Sequence, residues 1–384
     1  MTHNTDTRPQ VLMVSKPVAP PWNDSSKNLV HDLVQHGARF RYAVLTPKGQ
    51  ALSPASDGVQ SEELYSAAGS YTPALLQNIK VARRLLRGDE SALTHFFFAP
   101  NIKTSAVAHL CLRLRRRRVV QTVCSTPARF EHPELLLFGE KVICLSEHTR
   151  QRFIEAGVPP ARLVHIPPGI VPPPRPDEAA RREFRGSFGL PEDAMVVIFA
   201  GDYQFSQAAL TFARAIPLVR HRDVHFVFAC RVKQPASREV EARVDALLRA
   251  AGCRERVVML NEVPRMLDLL GACDVCALVA ESLYAKMDIP LVLLEAMALG
   301  LVPLVAKTPP LRELLREGTA LAGAGLDVPP QDPVALAAAV DSLAKGKRRV
   351  ELAMHARQVV EEHYHARHIA EQHEDLYSSM LKDR

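Results

Sequence analysis

Glu295 is the only ionisable residue in an otherwise apolar segment, Leu293-Leu294-Glu295-Ala296-Met297-Ala298-Leu299-Gly300. A carboxylate in such surroundings needs a partner, because burying it unpaired costs several kcal/mol or forces it to protonate. Two arrangements satisfy it. It can form a structural salt bridge with an Arg or Lys, or it can accept two hydrogen bonds from a ribose diol. Arg231 and Lys233 are a second feature, standing just past the end of an apolar run. They are either a solvated surface pair or fixed cations that neutralise a departing anion. Trp22 is the single tryptophan and is followed by Asn23, Asp24, Ser25 and Ser26. Polar and aromatic residues crowded between a strand and a helix suit a ligand pocket, and equally an ordinary loop with one ring packed on it.

The elements around Glu295 set its position. Residues 275–279 are a short apolar run that reads as a buried strand. A polar loop over 281–287 follows. Asp288 then reads as a helix N-cap, and Pro290 fits the first turn, where no amide hydrogen is missed. Gly300 closes the helix, with Pro303 just beyond it. Residues 301–306 form a second buried strand. Strand, helix and strand make a parallel βαβ unit. The helix is apolar nearly all round, so it is expected to be buried. Ligands of open α/β sheets bind at the carboxyl ends of strands, where the loop before this helix lies.

The rest of the chain repeats that alternation. Strands are predicted over 11–15, 40–46, 95–98, 119–123, 142–145 and 163–166, and helices over 73–87 and 102–114. Another helix starts at Ser25 or Ser26 as cap and runs to His36. Ser146-Glu147-His148-Thr149 opens a helix that Gly157 ends. Pro167-Pro168-Gly169 and Pro172-Pro173-Pro174 mark a stiff connection. Beyond it, strands are predicted over 196–201, 224–230 and 257–260, with helices over 181–188, 207–219, 237–251 and 262–270. Thr308 opens a further helix, Pro333 starts another, and the tail over 351–381 is helical. The five strands of this half indicate a doubly wound parallel sheet.

Composition narrows the class. The 384 residues suffice for two domains, and 47% hydrophobic with 23% charged residues is ordinary for a globular protein. The first ten residues are polar and lack the apolar core of a signal peptide. The longest apolar stretch, 289–306, holds Glu295, Gly300 and two prolines, and reads as α/β core rather than a membrane span. Seven cysteines are scattered, mostly in apolar runs, which suits small core residues in the reducing cytoplasm. Cys273 and Cys276 lack a second pair at metal spacing, and the five tail histidines lack companion ligands, so no metal site is expected. A formal charge of +6 favours anionic ligands or surfaces in general. Arg115, Arg116, Arg117 and Arg118 form a block at a helix end. They are placed there either to suit the helix dipole or to meet anionic lipid at the inner membrane face. No motif supports nucleic acid. No GxGxxG follows a strand, which argues against a nicotinamide-dependent oxidoreductase.

The run from Leu293 to Gly300, with Pro303, resembles the donor-site signature of the family 4 retaining glycosyltransferases, the glycosyl transferases group 1. The Ser146-Glu147 helix and the proline linker after it are also similar to that family. The resemblance implies an α/β chain of the GT-B fold, with two Rossmann-like doubly wound domains facing a cleft. It divides the chain into an acceptor domain over 1–168, a linker over 169–176, a nucleotide-sugar donor domain over 177–350, and a tail over 351–384 that returns to the first domain. It implies transfer of a sugar from a nucleoside-diphosphate sugar to a glycan, lipid or small-molecule acceptor, with retention and without metal or cofactor. Glu295 would hold the ribose, with Lys286, Met287, Ile289, Pro290, Leu291, Gly201 and Asp202 completing the donor site. Arg231, Lys233 and Asp288 are the catalytic candidates. Trp22, Asn23, Asp24 and Ser25 would shape the acceptor side. Two positions depart from the family pattern. Met287 stands where an acid is usual, and Asp202 where an Arg is usual after the glycine; Arg231, Lys233 and Lys286 are the cations available to replace it. A non-catalytic member of the fold that binds a nucleotide, glycan or protein partner is the alternative.

Overall fold

The structure is a computed structural model and describes residues 6–22, 24–52, 58–66, 75–87, 91–99, 101–113, 118–204, 206–232, 234–284, 286–315 and 323–382. The chain forms two compact units. The first comprises Met1–Val171, Tyr284–Asp288 and His365–Arg384, and the second Pro172–Leu283 and Ile289–Tyr364.

The first unit holds seven parallel strands: β1 (Gln10–Val14), β2 (Arg41–Pro47), β3 (Val59–Tyr65), β4 (Ser91–Phe98), β5 (Arg118–Val123), β6 (Lys141–Cys144) and β7 (Leu163–His165). Their order is β3-β2-β1-β4-β5-β6-β7, so the sheet reverses direction of growth between β1 and β4. The helices are α1 (Ser25–His36), α2 (Leu75–Leu86), α3 (Ile102–Arg113) and α4 (Glu147–Glu155). Leu12, Val14, Ala43, Leu45 and Phe96 from the central strands are buried together. Such continuous apolar strands belong to a sheet covered on both faces.

The second unit holds α5 (Glu178–Ser187), β8 (Met195–Asp202), α6 (Ala208–Ala215), β9 (Val224–Arg231), α7 (Pro235–Ala250), β10 (Val257–Leu260), α8 (Met266–Gly271), β11 (Val275–Leu278), α9 (Leu291–Ala298), β12 (Val302–Ala306), β13 (Leu326–Val328), α10 (Pro333–Ala344) and α11 (Lys347–His363). The six strands are parallel in the order β10-β9-β8-β11-β12-β13, with the switch point between β8 and β11. Phe199, Phe212, Phe226 and Phe228 pack ring on ring beneath it. Asp274 opens β11 by holding Arg181 at 3.0 Å and the buried Arg185 at 2.9 Å, which fixes α5 to this sheet.

Several elements differ from the sequence expectation, each for a local reason. β3 was not expected, because Gln60, Ser61, Glu62 and Glu63 give it no apolar run; it is an edge strand and needs only one buried face. β13 is an unexpected three-residue edge strand. The cap of α1 is Asp24 rather than Ser25 or Ser26, with Asp24 accepting from the Ser26 amide at 3.0 Å. After Thr308 the chain makes only a 3-10 turn over Leu311–Leu315 before leaving the described residues. The tail is two helices, and residues from His365 onward fall in the first unit. There Ala366 donates its amide to the Ile170 carbonyl at 2.7 Å, and α12 (Ala366–Lys382) follows. Glu374 of α12 accepts from the Arg39 amide at 2.9 Å and from the Tyr42 hydroxyl at 2.7 Å, while His95 meets Tyr377 at 2.6 Å. Among the described residues no helix is long and apolar enough to cross a membrane.

Candidate functional site

The polar end of the second unit lies where its strands finish, at the switch point. β8 ends in Gly201 and Asp202, and β9 ends in Arg231, which is paired in register with Asp202. Arg231 is thus the last strand residue and not the first loop residue, and it is half-buried. Lys233 lies outside the described residues. Gly201 serves packing: a Cβ there would stand 2.8 Å from the ring of Phe199, which is itself buried. The next two side chains are Tyr203 and Gln204. Tyr203 is 1% exposed, and its hydroxyl has no hydrogen-bond partner among the described residues. Burial pushes this phenol above its ordinary value, so it stays a hydrogen-bond donor. Gln204 pairs its Oε1 with the Ser237 hydroxyl, and its Nε2 has no partner among the described residues.

Glu281 stands across the switch point, three residues after β11. Its Oε1 accepts from the Gln207 amide at 2.7 Å, in front of α6. Its Oε2 is buried without a partner among the described residues. Buried polar atoms are nearly always paired, so three without a partner among the described residues, in the loops after β8 and β11, make this end of the sheet the candidate site. α9 starts nearby in sequence at Leu291, with Pro290 as N-cap and no side chain capping it. The Leu293 amide donates to the Pro290 carbonyl at 3.0 Å, and among the described residues no side chain takes the amides of Leu291 and Val292, which leaves these two for an anion or hydroxyl. Ile289 and Leu291 are buried and Pro290 is half-buried, so these residues present backbone rather than polar side chains. Glu295 lies one turn into α9. Six of the eight residues of α9 are buried, but Glu295 is half-exposed, not enclosed as the apolar pattern suggested. Burial first, and then the Glu295 carboxylate, push the Cys276 thiol of β11 up to about 12.

Lys286, Met287 and Asp288 fall in the first unit. The Lys286 carbonyl accepts from the Thr126 amide at 3.0 Å. Met287 is buried. Asp288 does not cap α9, as its position suggested. It is 1% exposed and accepts two hydroxyl hydrogen bonds, from Thr126 at 2.6 Å and from Ser146 at 2.6 Å. Two short charge-assisted bonds outweigh one amide bond at a helix end. Ser146 also caps α4, accepting from the Thr149 amide at 3.0 Å, so the carboxylate, the hydroxyl and the helix start form one chain of donors.

The loop after β1 lies at the first unit's own switch point. Trp22 is exposed and its ring lies 4.3 Å from that of His31. Asp24 takes the Lys16 ammonium at 2.5 Å. Burial works against its charge, yet Lys16 and the Ser26 hydrogen bonds win and hold it below the ordinary carboxylate range. Lys27 is buried, donates to the Ala19 carbonyl at 2.9 Å, and is lowered by that burial. Ser25 is the first residue of α1, and Asn23 lies outside the described residues.

Residues 194–346 match the sequence profile of the family described as glycosyl transferases group 1. The chain is 30% identical over 205 residues to a D-inositol 3-phosphate glycosyltransferase of Xylanimonas cellulosilytica. That match covers 51% of this chain and 46% of the relative, so it spans less than half of the curated protein. Among solved structures, Anabaena HepE in complex with UDP and glucose superposes with a TM-score of 0.74 at 16% identity, over 96% of this chain and 99% of the other. Sucrose-phosphate synthase from Thermosynechococcus elongatus gives 0.76 at 17% identity, over 98% and 100%. The chain has the GT-B fold, and the match to the glycosyl transferases group 1 profile is confined to residues 194–346.

Within this GT-B chain, the sequence reading brought Gly201, Asp202, Arg231 and Glu295 into one unit and missed their polar neighbours. Tyr203, Gln204 and Glu281 sit in loops where no periodicity singles them out. Their one signal is position, since each follows a strand at the switch point. Thr126 was missed for the same reason, and Lys27 because a lysine on a helix reads as solvent-facing. Among the described residues no cluster of three or more His, Cys, Asp and Glu side chains is arranged to hold a metal ion. Arg118 opens β5 and pairs with Glu140 at 3.3 Å, while Arg115, Arg116 and Arg117 lie outside the described residues.

Proposed function

We propose that this chain is a glycosyltransferase that moves a sugar from a nucleoside-diphosphate sugar to an acceptor, with retention and without a metal ion. The observation that supports the reading is the set of buried polar atoms of Tyr203, Gln204 and Glu281 that have no partner among the described residues, at the end of the second unit's sheet and inside the segment that matches the family profile. Glu295 holds the ribose diol. The uncapped amides at the start of α9 face the diphosphate or the sugar. Arg231, with Lys233, neutralises the leaving diphosphate as the bond from the anomeric carbon to phosphate breaks and the bond to the acceptor oxygen forms. Tyr203 donates to a donor oxygen, and the free oxygen of Glu281 accepts from a hydroxyl. Glu281 in this way supplies an acid in place of the one absent at Met287. In the first unit, Trp22 offers a flat apolar face to a sugar ring of the acceptor, beside Asp24 and Ser25. Asp288 acts as a positioning residue through Thr126 and Ser146. Among the described residues six of the seven cysteines are seen as buried free thiols, which suits the cytoplasm we assign to the protein.

Calorimetric titration with UDP, GDP, ADP and TDP, in the presence of chelator, tests this reading. UDP leads the series because the HepE structure contains it. One nucleotide should bind, and the corresponding nucleotide-sugar should then be consumed with an acceptor, the product's anomeric configuration being read by NMR. If none of the four binds, the donor reading fails.

A further inference from the structure

We propose that the face formed by α2 and α3 in the first unit docks on an anionic lipid bilayer. The two helices pack against each other, and each turns a stripe outward. On α2, Ile79, Lys80 and Arg83 are exposed, with Arg87 just past the helix end continuing the stripe. On α3, Ile102, Lys103, Ala106 and Val107 are exposed. Spacings of three and four put each set on one side of its helix. The aliphatic residues lie well out of the fold: Ile79 is 41% exposed, Ile102 56% and Val107 55%.

The charge carried by α2 and α3 themselves is of one sign. Residues 75–87 and 101–118 contain no Asp or Glu, although the chain has 42 of them. Arg84 turns to Glu62, which it meets at 2.5 Å. Lys80, Arg83 and Lys103 make no ion pair among the described residues. A folded surface that serves only solubility mixes both signs and hides branched aliphatics. Cations interleaved with Ile and Val fit a bilayer surface, where ammonium and guanidinium groups reach lipid phosphates while aliphatic side chains enter the acyl boundary. A nucleic acid gains nothing from the aliphatics, and neither stretch contains Phe, Tyr or Trp for base stacking. The proposal does not depend on the donor reading above.

Co-sedimentation of the full chain with vesicles tests it. Vesicles of phosphatidylcholine alone should leave the protein in solution, and vesicles with about one-third phosphatidylglycerol should pellet it. Each lysine or arginine at such a surface accounts for about a fivefold change in partitioning. The combined variant Lys80→Gln, Arg83→Gln, Lys103→Gln should therefore lose at least roughly tenfold, with its melting temperature unchanged. Ile102→Ser with Val107→Ser should weaken partitioning at high as well as low salt. The proposal is overturned if the parent does not pellet, if neutral vesicles pellet it equally, or if the triple variant partitions like the parent. It is also overturned if short duplex DNA binds through the same three cations while the Ile102 and Val107 changes have no effect.

Discussion

The Ser146 hydroxyl donates to the Asp288 carboxylate at 2.6 Å across 142 residues of sequence. The other carboxylate oxygen takes the Thr126 hydroxyl at the same distance, and the carboxylate is almost wholly shielded from water. Both oxygens are thus committed to the first unit, which fixes Asp288 between the loop after β5 and the start of α4. Removing the carboxylate leaves two buried hydroxyls without their acceptor. Asp288→Ala should cost on the order of 2–4 kcal/mol, read as a fall in melting temperature of roughly 5 °C or more. Asp288→Asn should cost less, because a hydroxyl can rotate to accept from the amide. Equal losses from the two variants would show that the hydrogen bonds are not what the carboxylate contributes.

Glu295 is half-buried and keeps access to solvent. Glu295→Gln should leave the melting temperature of the free protein within about a degree. Against the nucleotide identified by calorimetry it should lower affinity about tenfold, since a charge-assisted hydrogen bond contributes about 1.5–3 kcal/mol. A variant that melts normally and binds like the parent would remove Glu295 from the donor site.

The sequence made some of this legible and hid the rest for physical reasons. The central strands were readable because strands covered on both faces are continuous apolar runs, as in Val196 to Phe199. β3 was not, since Glu62, which turns to Arg84, and Glu63, which faces solvent, leave this edge strand no such run. Asp177, Ser146 and Asp332 each cap the helix that follows them, a relation contained within four residues. Asp288 looked equally suited to capping, but its partners Thr126 and Ser146 come from far along the chain, and nothing local announces them. The Glu295 helix was found by its apolar pattern. Its exposure was misjudged, because a period-free apolar segment does not tell which side the one carboxylate faces. Tyr203 and Glu281 become visible only once the strand order places them at the same switch point.

Tyr203 makes a sharper test of the site than any charged residue. Its hydroxyl is buried and, among the described residues, bonded to nothing, so Tyr203→Phe removes an unsatisfied polar atom and leaves the ring packing intact. The variant should melt at the same temperature as the parent or slightly higher. If the hydroxyl meets the donor, affinity for nucleotide or nucleotide-sugar should fall about fivefold, equivalent to about 1 kcal/mol. Stability that holds while binding weakens is the signature of a residue kept for its ligand. A drop in melting temperature would show instead that the hydroxyl has a structural partner.

The last prediction concerns acid. His373 on α12 is buried and donates from Nδ1 to the Ile369 carbonyl at 2.8 Å; burial draws it down to about 4, against smaller opposing effects of that bond and of Glu374. His95, between Tyr377 and Thr122, is likewise held well below its ordinary value by burial and then by His373. Both are neutral in the fold at pH 7, and in the unfolded chain both titrate near 6.5. Between pH 6.5 and about 4 the unfolded chain takes up protons that the folded chain refuses. Stability must therefore fall as pH drops through that window, by up to about 1.4 kcal/mol per pH unit for each histidine, and must be indifferent to them above it. Melting temperatures at pH 5 and pH 7 measure this. The parent should lose more on acidification than His373→Gln, whose side chain does not titrate and can still donate to Ile369. Because other groups contribute to both curves, the difference between them is the quantity to compare, and identical acid sensitivity in parent and variant would rule out the histidine as its source.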